Sequence, residues 1–174
     1  YVFGTAIFVI LAGAAMILRH ERMQKKGLTD RDYYVTLVNR AILLFGISML
    51  ITLVTWIAYR VFMDSNDCIV FGFLHMLSIS MLIAIPLLRF KKWNLLFGLA
   101  IISIGIFFIP NFTSPIWLFP LGIHSPEFLL HTPDYFPLFP WTGVLLLGVG
   151  LGNVFYPNGI RGFTLNYKPG KIGR

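Results

Sequence analysis

The stretch AILLFGISMLITLVTWIAYRV, Ala41 to Val61, decides the fold. From Ala41 to Tyr59 it runs nineteen residues without an acid or a base, and Arg60 is the single charge near its end. A helix needs about 20 largely apolar residues to cross the hydrocarbon core of a bilayer. Four further stretches meet the same condition, about Tyr1–Leu18, Ile69–Leu88, Asn94–Pro110 and Leu138–Tyr156, and none of these contains Asp, Glu, Lys or Arg. Strands are excluded at that depth, because an open strand leaves backbone N–H and C=O groups unpaired in lipid. The runs also lack the alternation of a barrel strand. The sequence therefore predicts an all-α integral membrane protein. It is a polytopic bundle of about five transmembrane helices over residues 1–156, followed by a basic tail over 157–174. Composition agrees. The chain is 57% hydrophobic and 12% charged, against about 45–50% and about 25% in soluble domains, so lipid has to cover part of the surface.

Working outward, the connections sort by charge. Arg19 to Arg40 carries Arg19, Arg22, Lys25, Lys26, Arg31 and Arg40 against Glu21, Asp30 and Asp32. The next connection, Asp64 to Cys68, has two acids and no base. Arg89-Phe-Lys-Lys-Trp93 has three bases. Asn111 to Pro137 has Glu127 and Asp134 and no Lys or Arg, while the tail has Arg161, Lys168, Lys171 and Arg174 and no acid. Basic and non-basic segments alternate, and basic loops stay in the cytoplasm. This places the N-terminus outside and the tail in the cytoplasm of a multi-pass membrane protein. An outside start with no basic leader or cleavage site predicts a further transmembrane helix before Tyr1. The net charge of +7 is spent on topology, so membrane lipid is the expected partner and nucleic acid is not. Cys68 is the only cysteine, which excludes an internal disulfide and any Cys-based metal site.

The connection before the last span is rich in proline and aromatic rings, with seven prolines from Pro110 to Pro140. Proline fixes its own backbone and extends its predecessor, so this outer loop reads as an ordered cap lying on or re-entering the membrane surface, the alternative being a plain interfacial belt of aromatic rings. Gly148-Val-Gly-Leu-Gly152, with Gly143 above it, and Ala12 to Ala15 are small-residue faces, suited to close helix packing or to self-association. His75 is the main polar residue within a span. Intramembrane ionisable groups are costly and are candidates for function, although a neutral histidine bonded to a neighbouring helix is the alternative. Asp134 precedes the last span on the same side, where a carboxylate can orient an imidazole. His124 and His131 stand in the outer loop, and His20 in a basic loop. Arg40 begins the second span, placed to meet lipid headgroups or an anionic cofactor. No phosphate-binding glycine loop, metal cluster or nucleophile elbow occurs.

Three stretches together resemble a known family. They are Phe8-Val-Ile-Leu-Ala-Gly13 followed by the basic loop and Arg40, Phe71-Gly-Phe-Leu-His75, and Asp134-Tyr-Phe-Pro-Leu-Phe-Pro-Trp141-Thr-Gly143. The chain is similar, from about Phe3 to Tyr156, to the catalytic-domain family of heparan-α-glucosaminide N-acetyltransferase, in its uncharacterised prokaryotic branch. A first helix with an Asp-x-x-Arg-Gly motif and a downstream His normally precedes this region in that family, and neither motif occurs here. The resemblance implies acetyl transfer from acetyl-CoA, met from the cytoplasm, to a sugar or aminosugar outside, in the cell membrane of a prokaryote and without a metal. Joined to the places of the polar residues, the leading reading takes His75 and Asp134 as the catalytic candidates, Arg40 as the cofactor contact, and Trp141 and His131 as the acceptor contacts. The basic loops would meet the CoA phosphates, and a histidine, with an ordinary pKa of about 6.5, would serve as general base.

A rival reading is a non-catalytic subunit packed in a homo-oligomer or a larger membrane assembly, which the short loops and small-residue faces allow. A small transporter is a third, though transporters of known type are built from internal repeats and no clear repeat is present.

Overall fold

The computed structural model describes residues 2–112, 116–157, 160 and 162. The tail bases Arg161, Lys168, Lys171 and Arg174 lie outside the described residues, and with them most of the predicted 157–174 segment. Among the described residues the fold is helical throughout, with one isolated bridge between Phe71 and Tyr135. Helix α1 is Val2–Lys25, α2 is Asp30–Phe62, α3 is Phe73–Leu87, α4 is Asn94–Ser103 and α5 is Leu138–Phe155. Four helical runs are long and apolar enough to cross a membrane, Val2–Lys25, Asp30–Phe62, Phe73–Asn111 and Leu138–Phe155.

The third of these runs covers both stretches that the sequence reads as the third and fourth spans. It is broken in the middle. Leu88–Trp93 tightens into 3-10 geometry, and Lys91 leaves helical space altogether at φ 47, ψ −115. Pro86 weakens the end of α3 just before the break. The buried Asn94 then closes the turn, its amide donating to the carbonyls of Leu87 at 2.9 Å and Lys91 at 3.0 Å. The two halves face α5 in opposite senses. Ser80 of α3 bonds Thr142 and Phe73 packs on Phe136, so α3 runs parallel to α5. Along α4, Leu95 meets Gly150, Gly98 meets Gly143, and Gly105 meets Pro140, so this half runs antiparallel to α5.

Helix α5 is therefore the post around which the bundle stands, and its glycines are the reason. A Cβ at Gly148 would come within 2.1 Å of the Ile10 carbonyl oxygen of α1, and one at Gly143 within 2.6 Å of the Gly98 oxygen of α4. Close approach of backbones replaces the hydrophobic drive that lipid removes. The small-residue faces noted in the sequence are thus used within the chain. Helix α2 packs on α3 and touches α1 chiefly at one end, where the Tyr33 hydroxyl donates to the Met16 carbonyl at 2.6 Å. The opposite faces of α1, α2 and α4 expose Phe3, Leu11, Ile42, Leu53, Leu96 and Leu99, among others. That surface requires an apolar solvent.

One end of the bundle gathers Arg19, Arg22, Lys25, Lys26, Arg31, Arg89, Lys91 and Lys92, and is called the basic end below. The aromatic end gathers the α2–α3 loop, the proline-rich cap and the first turn of α5. The cap is built from 3-10 turns at Ile116–Leu121 and Pro126–Leu130.

Candidate functional site

His75 sits in the first turn of α3 at the aromatic end and is 2% exposed. It stacks on Phe71 at 5.6 Å and meets the edge of Phe45 at 5.8 Å. Both ring nitrogens are engaged. The Gly72 backbone N–H donates to Nδ1 at 3.3 Å, so Nδ1 carries no proton. In the neutral ring the proton is then on Nε2, which faces the Thr52 hydroxyl of α2 at 3.5 Å. The Thr52 hydroxyl in turn donates to the Ile69 carbonyl at 2.6 Å. The result is a relay from α3 through α2 to the α2–α3 loop.

Asp134 comes to the same place without touching the imidazole. Its Oδ2 accepts from the Phe73 N–H at 3.4 Å, two residues before His75, where the unpaired N–H groups of a helix start favour an anion. Gly72 makes room for it, since a Cβ there would lie 2.7 Å from Oδ2. Asp134 thus holds the turn that carries His75.

The other residues singled out in the sequence are dispersed. The exposed His131 faces Asp67 through Nδ1 at 2.9 Å. Around this contact Cys68 N–H donates to the His131 carbonyl at 3.4 Å, Val70 N–H donates to the Thr132 hydroxyl at 3.4 Å, and Phe136 N–H donates to the Phe71 carbonyl at 3.0 Å. These bonds tie the cap to the α2–α3 loop. The hydrogen bond from His131, and after it that from Ser65, holds the Asp67 carboxyl below its ordinary value. Partial burial, and then Asp67, pushes the Cys68 thiol up. Trp141 lies on α5 against Phe136 at 5.3 Å.

Arg40 is at the far, basic end. It borders a cleft of about 360 Å³ between α1, α2 and α3, together with Arg19 and an apolar wall that includes Met16, Leu37, Leu44 and Met81. No acid pairs with either arginine among the described residues. Arg19 was not singled out in the sequence, where it is one base among six. What marks it is a neighbour twenty-one positions away on another helix. Among the described residues no three His, Cys, Asp or Glu side chains converge as metal ligands.

Nearly the whole chain, residues 2–173, matches the family model described as heparan-alpha-glucosaminide N-acetyltransferase, catalytic. The chain belongs to that family. No curated protein and no solved structure matches it. Heparan-alpha-glucosaminide N-acetyltransferases use acetyl-CoA as the acetyl donor, and the family together with the apolar helices makes this an integral membrane protein of acetyltransferase type. Within this member of the family, Arg19 and Arg40 and the buried His75 stand at opposite ends of the bundle.

Proposed function

We propose that this protein is a multi-pass membrane acetyltransferase of a prokaryotic cell membrane. It takes the acetyl group from acetyl-CoA at its basic, cytoplasmic end and delivers it to a sugar or aminosugar at its aromatic, outer end. The observation that carries this reading is the family match over residues 2–173. Arg19 and Arg40, which no acid pairs among the described residues, support the donor side, because guanidinium groups bind phosphate bidentately. In this reading the chain crosses the membrane five times, with the turn at Lys91 in the cytoplasm and the N-terminus outside.

His75 and Asp134 are the proposed catalytic pair. Asp134 positions the α3 start, and His75 handles the proton of the attacking amine or hydroxyl. The lone pair on Nδ1 is held by Gly72 N–H, so accepting a proton there requires that contact to open. His131 and Trp141 are proposed to border the acceptor.

Acetyl-CoA consumption by the full-length protein in proteoliposomes, with glucosamine as acceptor, tests this. Arg40→Gln is expected to raise KM for acetyl-CoA about tenfold with a smaller change in kcat, as loss of a ground-state phosphate contact does. His75→Ala and Asp134→Asn are expected to lower kcat by at least about a hundredfold. Unchanged rates in both of these variants would remove the catalytic assignment. A wild-type protein that neither binds nor consumes acetyl-CoA would favour a non-catalytic membrane subunit.

A further inference from the structure

The contact between Thr52 of α2 and the His75 ring, 3.5 Å from hydroxyl to Nε2, has a direction that its neighbours fix. Thr52 has one hydroxyl proton and two carbonyl oxygens within reach of it, Ile69 at 2.6 Å and Ser48 at 3.3 Å. A carbonyl oxygen only accepts. Whichever of the two takes the proton, the hydroxyl turns a lone pair to the imidazole. It accepts from Nε2–H and has no proton to give to Nε2. Gly72, the residue just before α3, leads to the same tautomer from the other side of the ring. Its N–H donates to Nδ1 and needs a lone pair there. Two elements, α2 and the start of α3, thus specify one protonation pattern independently.

In a catalytic triad the histidine is held by a carboxylate, which accepts from the far ring nitrogen and steadies the imidazolium. Asp134 does not fill that place. Its Oδ2 goes to the Phe73 N–H, and among the described residues no carboxylate is bonded to the imidazole. An ionised group within a span is costly. A hydroxyl whose proton is already committed offers an acceptor without a charge. The ring plane is held as well, stacked on Phe71 and met by the edge of Phe45, so Nε2 stays turned to α2.

We propose that Thr52 is the positioning residue for His75: it accepts a hydrogen bond from Nε2–H and leaves Nδ1 as the one atom of the ring that can take a proton. The proposal rests on the acetyltransferase reading above and adds to it the residue that holds its base. The N–H or O–H proton of the attacking group passes to Nδ1 as the acyl bond forms and the C–S bond of the thioester breaks, and it ends on the CoA thiol. Nε2–H stays on Thr52 throughout. Thr55, three residues further along α2, supplies the comparison. Its hydroxyl accepts from the Ile69 N–H at 3.4 Å, so it braces the same loop residue, and it makes no hydrogen bond to the imidazole among the described residues.

The test uses the full-length protein in lipid nanodiscs, with acetyl-CoA and glucosamine as substrates and heteronuclear NMR of ring-labelled histidine on the same samples. His75→Gln assigns the ring signals. The wild type is expected to carry its proton on Nε2 and none on Nδ1. Thr52→Val is expected to shift the Nε2–H signal and to lower kcat about tenfold with KM for acetyl-CoA unchanged, the effect of losing one hydrogen bond to a ring that becomes charged. Thr52→Ser keeps the hydroxyl and is expected to restore both. Thr55→Val loosens Ile69 alone and is expected to leave the signal and kcat as in the wild type. A wild-type ring protonated on Nδ1, or an Nε2–H signal that Thr52→Val leaves in place, would overturn the proposal. Equal losses of kcat in Thr52→Val and Thr55→Val would also overturn it, since they mark a role through the loop. Turnover separates the two readings. Acetylation of glucosamine at the wild-type rate by Thr52→Val removes Thr52 and leaves the acetyltransferase. No turnover by the wild type, with the Nε2–H signal moved in Thr52→Val and restored in Thr52→Ser, keeps the tie to Thr52 and removes the acetyltransferase.

Discussion

Asp67 shows how much one half-buried side chain can organise when it joins two loops. Its carboxyl sits below its ordinary value of 3.8, first because of the His131 hydrogen bond. A carboxyl depressed in this way stabilises the fold above its ordinary pKa, and the contribution is lost as pH falls through the depressed value. The Asp67–His131 contact therefore works fully at neutral pH and fails only in strong acid. Cys68, one residue on, reports on it. Burial and the Asp67 charge both raise the thiol, and the backbone of Cys68 is tied to His131. Asp67→Asn removes the charge and loosens the tie, and both changes favour the reactive thiolate. Labelling of Cys68 by a neutral maleimide at pH 7.5 is expected to speed up by about two- to fivefold. An unchanged or slower rate would show that the contact does not restrain this loop. None of this was legible in the sequence, where Asp67 and His131 are sixty-four positions apart. His75 was legible, because a histidine among apolar residues is conspicuous in any span. The occupancy of its ring nitrogens was not, since that depends on Thr52 and on a backbone N–H.

At the scale of the elements, charge and hydropathy placed the helices well, because the bilayer imposes length and a polar boundary on each one. The three bases of Arg89–Lys92 marked the place where the third helical run breaks. They did not disclose the device that closes the turn, which is the amide of the buried Asn94. The glycines divide in the same way. Their spacing in α5 announced a packing face, but only the contacts show which helix each one admits. This difference gives a paired prediction. Gly148 lies against the Ile10 backbone oxygen, which would stand 2.1 Å from a new Cβ, whereas at Gly46 of α2 a Cβ meets nothing within 4 Å. Gly148→Ala is expected to cost about 1–3 kcal/mol through overpacking that backbone cannot relieve. Gly46→Ala is expected to be neutral or slightly stabilising, since alanine is favoured over glycine in a helix by up to about 1 kcal/mol. Thermal unfolding in detergent, followed by size-exclusion chromatography, distinguishes them. Equal midpoints for the two variants would contradict the α1–α5 packing.

For the whole molecule, the turn at Lys91 decides how the bundle meets the bilayer. Helix α3, with fifteen residues, is about 22 Å long at 1.5 Å per residue. That falls short of a hydrocarbon core of about 30 Å, so in the proposed five-span arrangement the flanking loop and 3-10 segments complete its passage. Helix α2, with thirty-three residues, is about 50 Å long and projects past the core at its charged start. Because α3 and α4 flank α5 in opposite senses, the proposed five-span arrangement puts the turn at one surface and the Asn111 end of the same run at the other. Single cysteines in a Cys68→Ser background can test this with a membrane-impermeant maleimide on intact cells. Lys26→Cys and Lys92→Cys are expected to label only after the cells are opened. Asn66→Cys and Asn111→Cys are expected to label from outside. Labelling of positions 92 and 111 from the same side would mean that Phe73–Asn111 does not cross the membrane twice. The basic and aromatic ends could not then face opposite compartments along the whole bundle. A donor met on one side and an acceptor on the other require that they do, so the mechanism depends on this geometry before it depends on any one side chain.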